Sequence, residues 1–132
     1  MLCVNKYPQE YVDDCKKRFQ DQLAAFQNLP AGPAREAFEP LFFNNLVLVL
    51  ESSFVHRTRG LEGKDGNPLN EVRLLSRSLL ENKQRFQVEK AIKYKPENSI
   101  LQFQSDQAIA LTEAQFCRLS EAFFAEIQRK FV

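Results

Sequence analysis

The chain has no tryptophan, one histidine, one methionine and only four glycines in 132 residues. A lone histidine excludes a metal site built from several imidazoles. Cysteine is scarce too: Cys3, Cys15 and Cys117 make an odd number with no CxxC pair, so neither a disulfide framework nor a thiolate zinc motif is expected, and a reducing cytoplasm is the natural compartment. No apolar run exceeds Leu46–Leu50, far short of the roughly eighteen residues of a membrane helix. The start of the chain lacks a basic segment followed by an apolar one, so no secretory signal is read there. An excess of one charge is also missing, since 18 Lys and Arg face 17 Asp and Glu. No global field draws in DNA or an acidic surface.

What is present is a globular composition. Apolar residues make up 44% of the chain and twelve of its aromatics are phenylalanine, which packs without a polar atom to satisfy. The length suits one domain spanning residues 1–132, able to bury about two thirds of its unfolded surface without metal or disulfide. There is no internal repeat and no low-complexity segment.

Helical spacing dominates. Pro8 opens a helix to about residue 29, with Tyr11, Cys15, Phe19, Leu23 and Phe26 on its apolar face. Asn28 to Pro33 is a breaker cluster, and residues 34–39 are expected as no more than a short helical turn. Pro40 then opens a second helix, whose stripe of Phe43, Val47, Leu50 and Phe54 predicts the most buried element. Asn67 caps and Pro68 opens a third helix to about Lys83, with Leu69, Val72, Leu75, Leu79 and Leu80 inward and Arg73 and Ser76 outward.

Residues 84–111 change character. Ile92 and Tyr94 alternate with Lys93 and Lys95, and Gln104 to Gln107 reads as a hairpin turn between short strands. The last helix has Thr112 as N-cap, Gln115 at the reciprocal capping position and Phe116, Leu119, Phe123, Ile127 and Phe131 on one face. The expected fold class is mostly α (α+β): about four helices packed as a bundle, with a small antiparallel β-hairpin or sheet between the third and fourth.

Candidate function concentrates in residues 56–73, which hold the only histidine and three of the four glycines. A loop that joins the end of one helix to the start of another sets basic side chains beside unpaired helix N–H groups, an arrangement that favours anions. The ligand-binding set is therefore Arg57, Arg59, Lys64, Asn67, Asn70 and Arg73, with Arg offering bidentate donors to phosphate or carboxylate. The alternative is a helix connection in which Arg57 and Arg59 complement a helix dipole and the glycines serve turns. Gly60, Gly63 and Gly66 fit neither the P-loop nor the dinucleotide-binding pattern.

An enzyme is the rival reading, with His56 and Glu62, Asp65 or Glu71 as an acid/base set. No metal site and no cofactor are expected. The middle of the chain, residues 56–97, carries 10 basic against 6 acidic residues. Within it, Lys83, Arg85, Lys90, Lys93 and Lys95 with Phe86 and Tyr94 suggest nucleic-acid contact, disfavoured because Glu81, Glu89 and Glu97 dilute the field. The pairs Phe42-Phe43 and Phe123-Phe124 suggest either a spare face for a homodimer or a wide core stripe. Cys15 and Cys117 read as core residues and Cys3 as incidental. The expected role is a small binding or accessory protein whose 56–73 loop takes a small anionic ligand or a protein partner, with no membrane involved.

Overall fold

The computed structural model describes residues 3–132. Five helices are packed together: α1 (Gln9–Gln27), α2 (Pro33–Ser53), α3 (Arg59–Glu62), α4 (Pro68–Glu81) and α5 (Glu113–Phe131). No described helix is long and apolar enough to cross a membrane.

α1 begins after Pro8 and buries Val12, Cys15, Phe19 and Phe26. It lies antiparallel to α5, because Gln9 bonds Gln128 at one end and Gln27 bonds Glu113 at the other. α5 starts with a reciprocal cap: Thr112 Oγ1 accepts the Gln115 amide at 3.2 Å, and Gln115 Oε1 accepts the Thr112 amide at 3.0 Å. Its buried face runs through Phe116, Leu119, Phe123, Phe124, Ile127 and Phe131. Both members of the Phe123-Phe124 pair are inside, so this face is a wide core stripe.

α2 corrects an expectation. Instead of a short turn followed by a helix from Pro40, one helix of 21 residues starts with Pro33 in its first turn and runs through Pro40. Pro40 has no N–H for the Glu36 carbonyl, yet the helix continues because its aromatic side chains are anchored on both sides of that gap. Phe38 and Phe42 stack on Phe26 of α1, and Phe43 meets the same ring edge-on at 4.9 Å.

The most buried element is α4, not α2. Asn67 caps it by accepting the amides of Leu69 and Asn70 at 2.9 and 3.1 Å. From Leu69 to Ser76 every residue is buried, so Arg73 and Ser76, expected outside, face in, while Leu80 is 69% exposed. α2 and α5 pack against α4. The loop before α4 and the chain after it cover much of the polar face that its periodicity assigns to solvent.

That covering chain replaces the expected hairpin. Among the described residues there is no strand, only isolated bridges at Arg85–Ala108 (antiparallel) and Val4–Arg57 (parallel). The cause lies in where the backbone hydrogen bonds go. Glu71 takes the amides of Ile100 and Leu101, Ser78 takes that of Gln87, and Asn44 takes that of Leu111 while donating to the Ile109 carbonyl. Helix side chains thus do the work of a partner strand. The chain also bends through positive φ at Lys83, Gln84, Gln102 and Asp106, which breaks any extended register.

Candidate functional site

The loop expected to face solvent with its basic residues instead closes over a buried group of charges. Val4 donates to the His56 carbonyl and accepts from the Thr58 amide, and this short pairing carries Arg57 inward. The Arg57 side chain is wholly buried. Its Nη2 donates to Glu51 Oε1 at 2.9 Å and to the Leu69 carbonyl at 3.2 Å, and its Nη1 donates to the Phe54 carbonyl at 3.0 Å. Its Nε is 3.0 Å from Glu62 Oε1, close enough for attraction but out of line for a hydrogen bond. The guanidinium also stands 5.5 Å from the ring centre of Phe123.

Glu62, at the end of α3, faces a second guanidinium. Arg73 donates from Nε to Glu62 Oε2 at 3.2 Å and from Nη2 to Oε1, while its Nη1 lies 3.5 Å from Glu51 Oε2. Asn70 adds a bond to Glu62 Oε2 at 2.8 Å. The Glu62 backbone carbonyl accepts from Lys130 at 2.7 Å and from Asn67 at 2.8 Å. The side chains of Glu51, Arg57, Glu62 and Arg73 therefore sum to zero charge. Balance matters because each ion out of water costs several kcal/mol unless its partners are well placed. Burial alone would push the Glu62 carboxyl up, but the bonds from Arg73 and the charge of Arg57 hold it below the usual range.

Glu71 is a contrasting neighbour. Its carboxylate has only the amides of Ile100 and Leu101, at 2.8 and 2.9 Å, and burial pushes it up against their opposing pull. Asp65 is exposed and held low, first by the Asn67 side chain at 2.7 Å.

His56 is exposed, and among the described residues its ring makes no hydrogen bond or ion pair with Glu62, Asp65 or Glu71. Of the expected anion-binding set, Arg57, Asn70 and Arg73 are buried, Asn67 caps α4, and Arg59 and Lys64 stay exposed. Arg59, Lys64 and Arg73 do share a recess of about 70 Å³, but Glu62 and Glu89 line it as well. Among the described residues no three His, Cys, Asp or Glu side chains are grouped so as to hold a metal. In the basic middle segment Lys83, Arg85, Lys90, Lys93 and Lys95 are exposed, but Phe86 is buried 5.0 Å from Tyr94, and the Tyr94 hydroxyl donates to the Phe103 carbonyl.

Sequence reasoning missed two features. One is Glu51, which directly follows the apolar run Leu46–Leu50 and whose opposite charge lies six residues away across a helix end. The other is an apolar groove of about 440 Å³ between α1 and α5. Phe19, Leu23, Phe116 and Phe124 line it, with small Cys117, Ser120 and Ala125 on α5 leaving space. Lys16 stands on the α1 side with its ammonium 5.7 Å from the Phe124 ring centre, and Glu121 stands on the α5 side. Burial and the nearby charges of Glu113 and Glu121 push the Cys117 thiol up. Compared with protein-family models, curated proteins and solved structures, the chain has no match.

Proposed function

We propose that the protein is a binding module that takes an amphipathic helix of a protein partner in the groove between α1 and α5. The observation that carries this reading is the groove itself, about 440 Å³ with an aromatic floor and small side chains along one wall. A volume of this size suits the apolar knobs of a docked helix. Its walls are held at a set spacing, since glutamines tie α1 to α5 at both ends. Lys16 and Glu121 present opposite charges on the two walls, which favours a helix acidic along one edge and basic along the other. The small-anion reading of the loop has weaker support, because the guanidiniums of Arg57 and Arg73 already face Glu51 and Glu62.

Selection of helical peptides from a displayed library tests the proposal, with the Ala125→Arg protein as counter-target. Ala125 is exposed, so the fold tolerates the change while the groove is filled. Enriched peptides with apolar residues at helical spacing, bound at least about ten-fold more weakly by Ala125→Arg, are expected. Peptides indifferent to that substitution, or no enrichment at all, would overturn the proposal.

A further inference from the structure

α2 is apolar nearly all round, a pattern that belongs to a helix covered on every side. One of its faces nevertheless meets water. Positions three and four apart share a helix face, and Phe38, Leu41, Asn45, Leu48, Val49 and Ser52 follow that spacing. Leu41 is 63% exposed, Val49 43% and Phe38 41%. The face extends about 21 Å and presents no charge, because the two acidic residues in that interval turn inward. Glu39 accepts the Glu113 amide at 2.8 Å, and Glu51 pairs with Arg57.

We infer that this face seats a second copy of the chain, with the two α2 helices antiparallel about a two-fold axis at Asn45. The order of residues is self-complementary around that point. A two-fold axis sets each residue opposite one equally far along on the other side, so Leu41 meets Val49 and Phe38 meets Ser52. Bulk then falls against space. The Phe38 ring arrives where Ser52 is small and a recess of about 470 Å³ opens among Leu48, Val49, Ser52 and Ser53 of α2 and Tyr11 and Arg18 of α1, whose guanidinium can lie against the ring. Asn45 meets its own copy, and a carboxamide carries both a donor and an acceptor, so two of them pair reciprocally. A single asparagine in an otherwise apolar helix seam fixes register and orientation, which an all-leucine face would leave free. A partner with an unrelated sequence would have no need of this symmetry. The face shares no residue with the α1–α5 groove.

Two measurements on the full chain test the inference. Sedimentation velocity from micromolar to hundreds of micromolar should show the mass double, and Leu41→Lys should weaken association by about ten-fold or more with unchanged helicity. For the register, a Cys3→Ser/Cys117→Ser background removes the native thiols that are not buried. In that background Asn45→Cys should form an intermolecular disulfide with its own copy under mild oxidation. Val49→Cys should cross-link only when Leu41→Cys is also present. A chain that stays monomeric throughout, or a dimer insensitive to Leu41→Lys, would overturn the inference. So would a dimer lost in Ala125→Arg, which would assign association to the groove instead. Failure of Asn45→Cys to cross-link a genuine dimer would overturn the two-fold axis.

Discussion

The surroundings of α4 and the outer face of α2 treat mismatch between side chain and environment in opposite ways. Around α4, polar groups are taken out of water, and the charges of Glu51, Arg57, Glu62 and Arg73 find opposite charges within 3.5 Å. Along α2, large apolar side chains stay in water although the core is close by. The first arrangement makes the fold depend on particular partners inside the chain. The second leaves free energy to be gained only by association. Substitutions near α4 should therefore read out in stability, and substitutions on α2 should read out in assembly.

The largest expected effect is at Glu62. Glu62→Ala leaves two buried guanidiniums facing one carboxylate, and the loss in urea unfolding should be about 3–5 kcal/mol. The double variant Arg57→Met/Glu62→Leu keeps Arg73 against Glu51 and should be less damaging than Glu62→Ala alone, the signature of a coupled set. Next comes Gly66, whose φ is +89° and where an added Cβ would lie 2.6 Å from the Lys93 carbonyl oxygen. Gly66→Ala should cost about 1–3 kcal/mol and speed amide exchange around Ile100 and Leu101 as the covering chain lifts from α4.

pH separates the two buried glutamates of this region. The Glu62 carboxyl is lowered in the folded state, so the stability it contributes is present above the unfolded value of about 4.3 and is lost as pH falls below it. The Glu71 carboxyl is raised, so its contribution is full below that value and is lost as pH climbs through the folded-state value. Glu62→Gln should flatten the acid limb of the stability profile, and Glu71→Gln should flatten the decline above it. Matching slopes in both variants would mean that the two carboxyls share one environment after all.

Smaller effects sharpen the α2 side. Leu41→Lys should change the stability of the isolated chain by less than about 0.5 kcal/mol, even as it weakens association about ten-fold or more. Tyr7→Phe should be smallest of all. The Tyr7 hydroxyl is buried with no hydrogen-bond partner among the described residues, and burial pushes its phenol up to about 12. Removing it loses no bond, so stability should hold or rise by up to about 1 kcal/mol. A clear loss there would reveal a partner for the hydroxyl.

Elements governed by nearby residues were legible in the chain. The Thr112 and Gln115 cap, the Asn67-Pro68 start and the Phe116 to Phe131 stripe all rest on contacts within a turn or two of helix. The continuation of α2 through Pro40 was not, because a proline rule is local whereas the stacking of Phe38 and Phe42 on Phe26 is not. The strands expected in residues 84–111 failed for a similar reason. Alternation shows that a segment has two faces, but not that Glu71, Ser78 and Asn44 will take its amides from helices elsewhere in the chain. At the site, helical periodicity placed Arg73 outside because it cannot distinguish a face open to solvent from one roofed by irregular chain. Arg57 and Arg73 were seen as cations awaiting a ligand, and their counter-charges at Glu51 and Glu62 became visible only once α2, α3 and α4 were brought together.

The pairing of α1 with α5 has a consequence for the order of assembly. The Tyr7 amide bonds the Phe131 carbonyl and Gln9 bonds Gln128, joining residues more than a hundred positions apart. Such contacts form slowly, since the loop they close must be ordered first. During synthesis α1 emerges early and has no α5 to rest on until nearly all of the described chain has left the ribosome, so Phe19, whose ring partners Phe116 and Phe124 lie on α5, spends that interval uncovered. A ribosome stalled before α5 would display an apolar helix that no completed molecule shows, a ready mark by which chaperones and proteases tell the unfinished chain from the finished one.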